Sequence, residues 1–391
     1  MKKKVLVIAG YYVPSIKGGG PIQSIKNLVD NLSDKLDFYI LASDRDLGDE
    51  QPFHGVKTDK WVQVGCAKVF YINTKELTLR RLTEIINSVD YDALYLNSFF
   101  SYKFSIAIVV LNKLKRLIAK PILLAPRGQF SQGALGLKSS KKKLYIKVAK
   151  ALGLYKDIMW HATTETEKND IEIVLGKNTN IKVANNLTAD YRRIKYDKDI
   201  EKYPGELKVV FVSRIHQMKN LKKAIALLKD LDGKVEFNIY GPLEDKEYWT
   251  ECEQVINSLS QNVEVEYRGL LDHDEIMGVF KDHHVFLFPT LGENFGHIIS
   301  EALIGGCPVI ISDQTPWRGL EELSVGWDIV LSDEGKFRKV LQHCMNLSKE
   351  EYKSLSMNAF EYGKKHSNRQ DDIRKTYELF VYDTEVLGGT T

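Results

Sequence analysis

Short apolar runs alternate with longer amphipathic segments along this chain, and the alternation runs twice. The first series holds Val5–Ala9, Phe38–Ala42, Val69–Ile72, Ala93–Leu96, Ile122–Leu124 and Met159–Ala162. Helical patterns such as Pro21–Leu32 and Leu79–Asn87 separate them. Val5–Ala9 is apolar throughout, as a strand covered on both faces must be. Strand, helix, strand at this spacing builds βαβ units around a parallel sheet. The second series holds Leu207–Val212, Val235–Tyr240, Val263–Tyr267, Val285–Phe288 and Pro308–Ser312. Between the two, residues 188–207 are polar and contain Pro204-Gly205, a linker composition. The pattern predicts an α/β chain of two domains, 1–190 and 205–370. A last helical pattern, about 371–386, is expected to pack back on the first domain.

Length agrees: 391 residues at ~150 per domain favour two domains. With 43% hydrophobic and 27% charged residues, the composition excludes general disorder. Lys+Arg number 55 against 52 Asp+Glu, a net charge of +3 that gives no reason to expect a nucleic-acid partner. Cys66, Cys252, Cys307 and Cys344 are far apart, which suggests neither a disulfide framework nor a zinc site and fits a reducing compartment. Lys2–Lys4 before Val5–Ala9 imitates a signal peptide, but the apolar stretch is too short. Phe104–Leu111 falls well short of the ~20 residues a membrane span needs. The expectation is a cytoplasmic protein, at most resting on the inner face of a membrane.

Ligands of open parallel sheets bind outside the carboxyl ends of the strands, so the residues just after each strand matter most. After the first comes Lys17-Gly18-Gly19-Gly20-Pro21, a glycine turn opening a helix. Such a turn can present backbone N–H groups to an anion, or serve only as a loop. After Val212 come Arg214 and Lys219-Asn220, two cations beside a helix start, suited to a pyrophosphate or simply solvated. After Phe288 comes the most informative segment, Glu293-Asn294-Phe295-Gly296-His297 and then Glu301. Asn294 is expected to cap the helix, whose first-turn N–H groups face an anion. Glu301 lies on a largely apolar helix, where a buried carboxylate needs hydrogen-bond partners. Sugar hydroxyls are one source, and exposure to solvent is the plain alternative.

Glu293 and Glu301 with seven residues between them, followed by Gly306-Cys307-Pro308-Val309, resemble the Glu-x7-Glu signature of glycosyltransferase family 4. These are retaining nucleotide-sugar transferases with the GT-B fold, two Rossmann-like domains facing across a cleft. Gly18-Gly19-Gly20 resembles the family's glycine loop, and Arg214 with Lys219 its cationic pair. Tyr240-Gly241-Pro242 and Arg268-Gly269-Leu270 fall where the family has a Gly-Pro turn and a base-flanking loop. The resemblance implies that the first domain takes the acceptor and the second the donor. It implies that Arg214 and Lys219 hold the donor diphosphate, with help from the backbone at Asn294–His297. Glu293 is then expected to bind the donor sugar and Glu301 the ribose. The backbone at Arg268, Gly269 and Leu270 flanks the base, and Gly18 and Gly19 approach the phosphates. Retention, no metal or other cofactor, and UDP in preference to GDP follow as expectations, as does an acceptor in cell-surface polysaccharide or lipopolysaccharide synthesis.

The pattern departs from the family at Ala125-Pro126-Arg127-Gly128, where many members have a histidine. Arg127 suits an anionic acceptor group, or a salt bridge to a neighbouring loop. His161 ends another strand, and either lines the acceptor site or is a buried structural histidine. Lys138–Lys156 interleaves lysines with Leu144, Tyr145, Val148, Ala151 and Leu152, the pattern of a helix on an anionic membrane or of a solvated face over a core. Membrane contact suits a lipid-linked acceptor. Rival readings are a metal-dependent transferase using Asp44-Arg45-Asp46, Asp90-Tyr91-Asp92 or Asp272-His273-Asp274, a GT-B epimerase or phosphorylase, and a nucleotide-sugar-binding protein without turnover. Thr315–Arg318 lies near the expected donor site and reads equally as a turn with a packed Trp317.

Overall fold

The computed structural model describes residues 1–136, 139–367 and 370–381. Met1–Ala189, joined by the returning helix Gln370–Glu378, makes one compact unit. The chain from Asp190 to the end of the helix Lys349–His366 makes the other.

Among the described residues the first unit is built on eight strands: β1 (Lys3–Ile8), β2 (Leu36–Ser43), β3 (Trp61–Val64), β4 (Ala67–Ile72), β5 (Ala93–Leu96), β6 (Ile122–Leu124), β7 (Met159–Ala162) and β8 (Ile181–Val183). Their order is β3-β4-β2-β1-β5-β6-β7-β8, parallel except that β3 runs against β4. The second unit has six parallel strands: β9 (Glu206–Val212), β10 (Lys234–Tyr240), β11 (Val263–Gly269), β12 (Val285–Phe288), β13 (Val309–Ser312) and β14 (Gly326–Ile329). Their order, β11-β10-β9-β12-β13-β14, is that of the doubly wound dinucleotide-binding fold. The central strands are apolar along their whole length because helices cover both faces. β5, β12 and β13 are buried at every position.

Three strands lie outside the sequence expectation: β3, β8 and β14. All are short and lie at sheet edges, where one side of the strand needs no partner and the apolar signal is weak. A larger difference is the stretch predicted as a linker. The first unit keeps its hold as far as Thr188, through Asn27 Nδ2 to Leu187 O at 3.0 Å and Asn31 Nδ2 to Thr188 O at 3.0 Å. Residues from Asp190 onward already belong to the second unit. There, two lysines are buried rather than solvated. Lys198 Nζ donates to Phe280 O (2.8 Å), in the last turn of the helix Ile276–Lys281, and to His283 O (2.6 Å), just past it. Lys202 Nζ donates to Met345 O (2.8 Å) and Leu347 O (3.2 Å), at the end of the helix Glu334–Asn346. Each ammonium serves carbonyls that a helix C-terminus leaves unpaired. Composition marked these residues as polar without revealing that helix ends would supply the acceptors.

The returning helix packs on the first unit. Asn185 Nδ2 donates to Asp372 Oδ1 at 2.9 Å, and Phe380 meets Tyr95 edge to face with ring centroids 5.3 Å apart. Residues 382–386 of the expected helix lie outside the described residues, as does Lys138. On the helix Ser139–Ala151, Leu144 is 64% exposed and Val148 47%, with Lys141, Lys143, Lys147 and Lys150 exposed around them. No helix among the described residues is long and apolar enough to cross a membrane.

Candidate active site

Strand order in the second unit reverses between β9 and β12, and two loops meet there. The loop after β9 carries Arg214 and Lys219, and the loop after β12 carries Glu293. Hydrogen bonds join them into one platform. Leu291 N donates to Met218 O at 2.9 Å, Thr290 Oγ1 to the same carbonyl at 2.9 Å, and Asn220 Nδ2 to Pro289 O at 2.8 Å. Asn220 holds a left-handed backbone (φ 57°), a conformation Asn tolerates better than most residues.

Lys219 Nζ lies 2.7 Å from Glu293 Oε2 on this platform. Burial works to raise the pKa of Glu293. Lys219 and the Asn294 N–H, 3.0 Å from Oε1, outweigh it and hold the group below its ordinary value. Glu293 is therefore a carboxylate at neutral pH. Arg214 pairs with Glu244 at 2.6 Å. Both predicted cations are thus present at the switch point, and each is neutralised by an acid.

The helix His297–Ile304 starts from Gly296, whose φ of 81° is left-handed. A side chain there would also sit 2.8 Å from Ile299 Cδ1 and 3.1 Å from Trp317 Nε1, so glycine is required twice over. This corrects the expected cap. Gly296, not Asn294, is the N-cap residue, because the left-handed turn carries the chain past Asn294 before the helix begins. Trp317 Nε1 donates to Phe295 O at 2.8 Å, and Glu293 N to Gln314 O at 2.9 Å. The Thr315–Arg318 segment is therefore a brace for the loop that presents Glu293.

Glu301 is buried, with 7% of its surface exposed, and its carboxylate makes no hydrogen bond or ion pair among the described residues. Burial alone raises its pKa to about 8. Tyr191, at the start of the segment read as a linker, is raised too, by burial and then by Glu301. Arg268 turns along its own sheet, to Glu266 (2.7 Å) and Asn238 Oδ1 (3.2 Å). Gly269 (φ 81°) accepts from Gly241 N at 2.8 Å, which ties the ends of β10 and β11 together, and Leu270 is exposed.

In the first unit, Gly19 caps the helix Gly20–Leu32 with φ 67°, and a Cβ on Gly18 would lie 2.7 Å from Ile22 Cδ1. Asp46 shapes this loop. Its carboxylate accepts from Ser15 Oγ (2.5 Å), Ile16 N (2.9 Å), Lys17 N (3.2 Å) and Leu47 N (2.8 Å). Asp44 pairs with Arg45 at 2.7 Å. Both acids of the Asp44-Arg45-Asp46 motif thus make local bonds. Asp46 was legible only as half of that motif. His161 is 3% exposed, with Nδ1 2.7 Å from Tyr95 OH and Nε2 2.8 Å from Ala184 O. It is a buried, doubly bonded histidine, the structural alternative rather than a residue lining the acceptor site. Arg127 lies above it at the carboxyl end of β6.

Residues 192–359 match the family model of glycosyl transferases group 1. That span contains the whole platform, with Arg214, Lys219, Glu293 and Glu301. Over 236 residues the chain is 24% identical to an uncharacterized 41.2 kDa protein in the cps region of Klebsiella pneumoniae, covering 57% of this chain and 63% of that one. Sucrose-phosphate synthase from Thermosynechococcus elongatus superposes with a TM-score of 0.72 at 16% identity, over 97% of this chain and 98% of that one. HepE of Anabaena, solved in complex with UDP-glucose, gives 0.68 at 14% over 96% and 98%. The trehalose-6-phosphate synthase OtsA gives 0.63 at 12% over 97% and 98%. The chain has the GT-B fold.

The raised pKa of Glu301 has a signed consequence. Between 4.5 and about 8 the folded chain keeps a proton that the unfolded chain has lost, so this group costs stability as pH rises through that window. Glu301→Gln removes the cost. Its thermal midpoint is expected to exceed that of the wild type at pH 8.5, by on the order of a few kcal/mol in stability, with the gap closing toward pH 5. A gap independent of pH contradicts the assignment.

Proposed function

We propose that the protein is a glycosyltransferase that moves a sugar, with retention of configuration, from a UDP-sugar to a glycan or lipid-linked glycan in surface-polysaccharide synthesis. The observation that carries this reading is the placement of Arg214, Lys219, Glu293 and Glu301 on one sheet end, inside the segment matched by the family. The UDP-glucose complex of HepE and the cps-region relative support the donor and the pathway.

The chemistry is charge management. The sugar–phosphate bond breaks, and a nucleoside diphosphate leaves with growing negative charge. Arg214 and Lys219 take up that charge without a metal by loosening their bonds to Glu244 and Glu293. Glu293 is ionised and faces the donor sugar as a hydrogen-bond acceptor. Glu301 accepts the ribose hydroxyls, which supply the partners its buried carboxylate lacks. The acceptor hydroxyl forms the new bond, and its proton passes to the departing phosphate. No cofactor takes part.

UDP is expected to raise the thermal midpoint more than GDP or ADP, equally with and without EDTA. Lys219→Ala is expected to lower transfer from a UDP-sugar by about 100-fold or more. No response to any nucleotide, or one that requires metal, contradicts the reading. The exposed Leu144 and Val148 among lysines suit an anionic membrane, where a lipid-linked acceptor resides. Wild-type protein is expected to co-sediment with phosphatidylglycerol vesicles and Leu144→Glu to remain in solution. Equal sedimentation of the two removes the membrane from the account.

A further inference from the structure

We propose that Arg127 forms an oxyanion site at the carboxyl end of the first sheet, which selects acceptors carrying a carboxylate or phosphate. The proposal rests on reading that unit as the acceptor side.

Arg127 follows β6 with a left-handed backbone (φ 55°), an uncommon state for a non-glycine residue. Its guanidinium is held from three directions. Nε and Nη2 donate to Asn97 Oδ1 (3.3 and 2.8 Å), just past β5. Nη2 also donates to Tyr95 OH at 2.9 Å, and Nη1 to Asn186 Oδ1, beyond β8. Of five N–H groups, one on Nη1 has no acceptor among the described residues.

Every one of these partners is neutral, and the layer beneath enforces it. Ala184 O can only accept, so His161 Nε2 carries the proton of that bond. Burial, and then Arg127 itself, push the His161 pKa down to about 3, so the ring is neutral and Nδ1 is bare. Tyr95 OH therefore donates to Nδ1 and turns a lone pair to Arg127. No carboxylate among the described residues lies within 4 Å of the guanidinium. Glu167, on the helix after β7, spends its oxygens on Gly128 N, Thr163 N (2.8 Å) and Thr163 Oγ1 (2.7 Å). Arg214 and Arg268, by contrast, each pair with a glutamate.

A half-buried guanidinium satisfied only by dipoles keeps its full charge. Fixed in orientation, it loses little freedom when an anion arrives. Asn97 lies beyond β5, next to β1, where this sheet reverses its strand order and ligands of such folds bind. A brace for the strand ends alone needs no uncompensated charge, and a glutamine or a paired arginine would serve.

The test is titration calorimetry of the full chain with saturating UDP present, using phenyl phosphate, glucuronate and neutral methyl α-glucoside. Wild-type protein is expected to bind at least one anionic probe more tightly than the glucoside. Arg127→Gln is expected to weaken that probe tenfold or more, Arg127→Lys to weaken it less, and neither to change the glucoside. The phosphate and carboxylate arms show which oxyanion is preferred. Anionic probes that bind wild type no better than the glucoside, or bind Arg127→Gln as well as wild type, overturn the proposal. Should Arg127→Gln fail to fold, the wild-type comparison of charged with neutral probes decides alone. UDP heats are read first, without probe. Their absence removes the donor reading and leaves the anion result standing.

Discussion

A parallel strand can be reached only through a crossover, and crossovers are right-handed, so the direction in which the chain moves along a sheet decides which face each helix covers. Where that direction reverses, neighbouring loops diverge and leave a crevice at the strand ends. In the second unit the reversal falls between β9 and β12. The placement of Arg214, Lys219 and Glu293 depends on it. Arg214 and Lys219 leave one side of the crevice, Glu293 and the helix His297–Ile304 the other, and Lys219 closes on Glu293 across it.

The electrostatics of this crevice suit a site at rest. Arg214 and Lys219 are each held by an acid. Glu301 differs, a largely buried carboxyl with no hydrogen bond or ion pair among the described residues. A fold under selection for stability alone gains from an apolar residue there. Hydroxyls of a bound ligand would supply the partners it lacks. The same logic, with the sign reversed, applies to Arg127 in the first unit. In both places a polar group bears a cost in the free protein that a partner of opposite need removes.

The strands of the two series were legible because buried parallel strands are written as unbroken apolar runs, and Ala93–Leu96 and Val285–Phe288 match the structure residue for residue. Edge strands such as Ile181–Val183 lack that signature. Residues 188–207 read as a linker because polarity marks exposure only when no partner is near, and helix C-termini provided partners for Lys198 and Lys202. The glutamates and cations of the platform stood out by spacing. Asn294 misled because cap preference describes a residue type, whereas the start of this helix is set by the backbone of Gly296. The Tyr95–His161–Ala184 stack beneath Arg127 brings together residues of β5 and β7 and the residue just after β8, so no local pattern could announce it.

The most direct test of the crevice as the proposed donor site is hydrogen–deuterium exchange of the intact protein with and without UDP. Slowed exchange concentrated in segments 213–220 and 290–301, with β3 and β14 unchanged, is the predicted result. Protection absent from both segments, or confined to the first unit, contradicts the account.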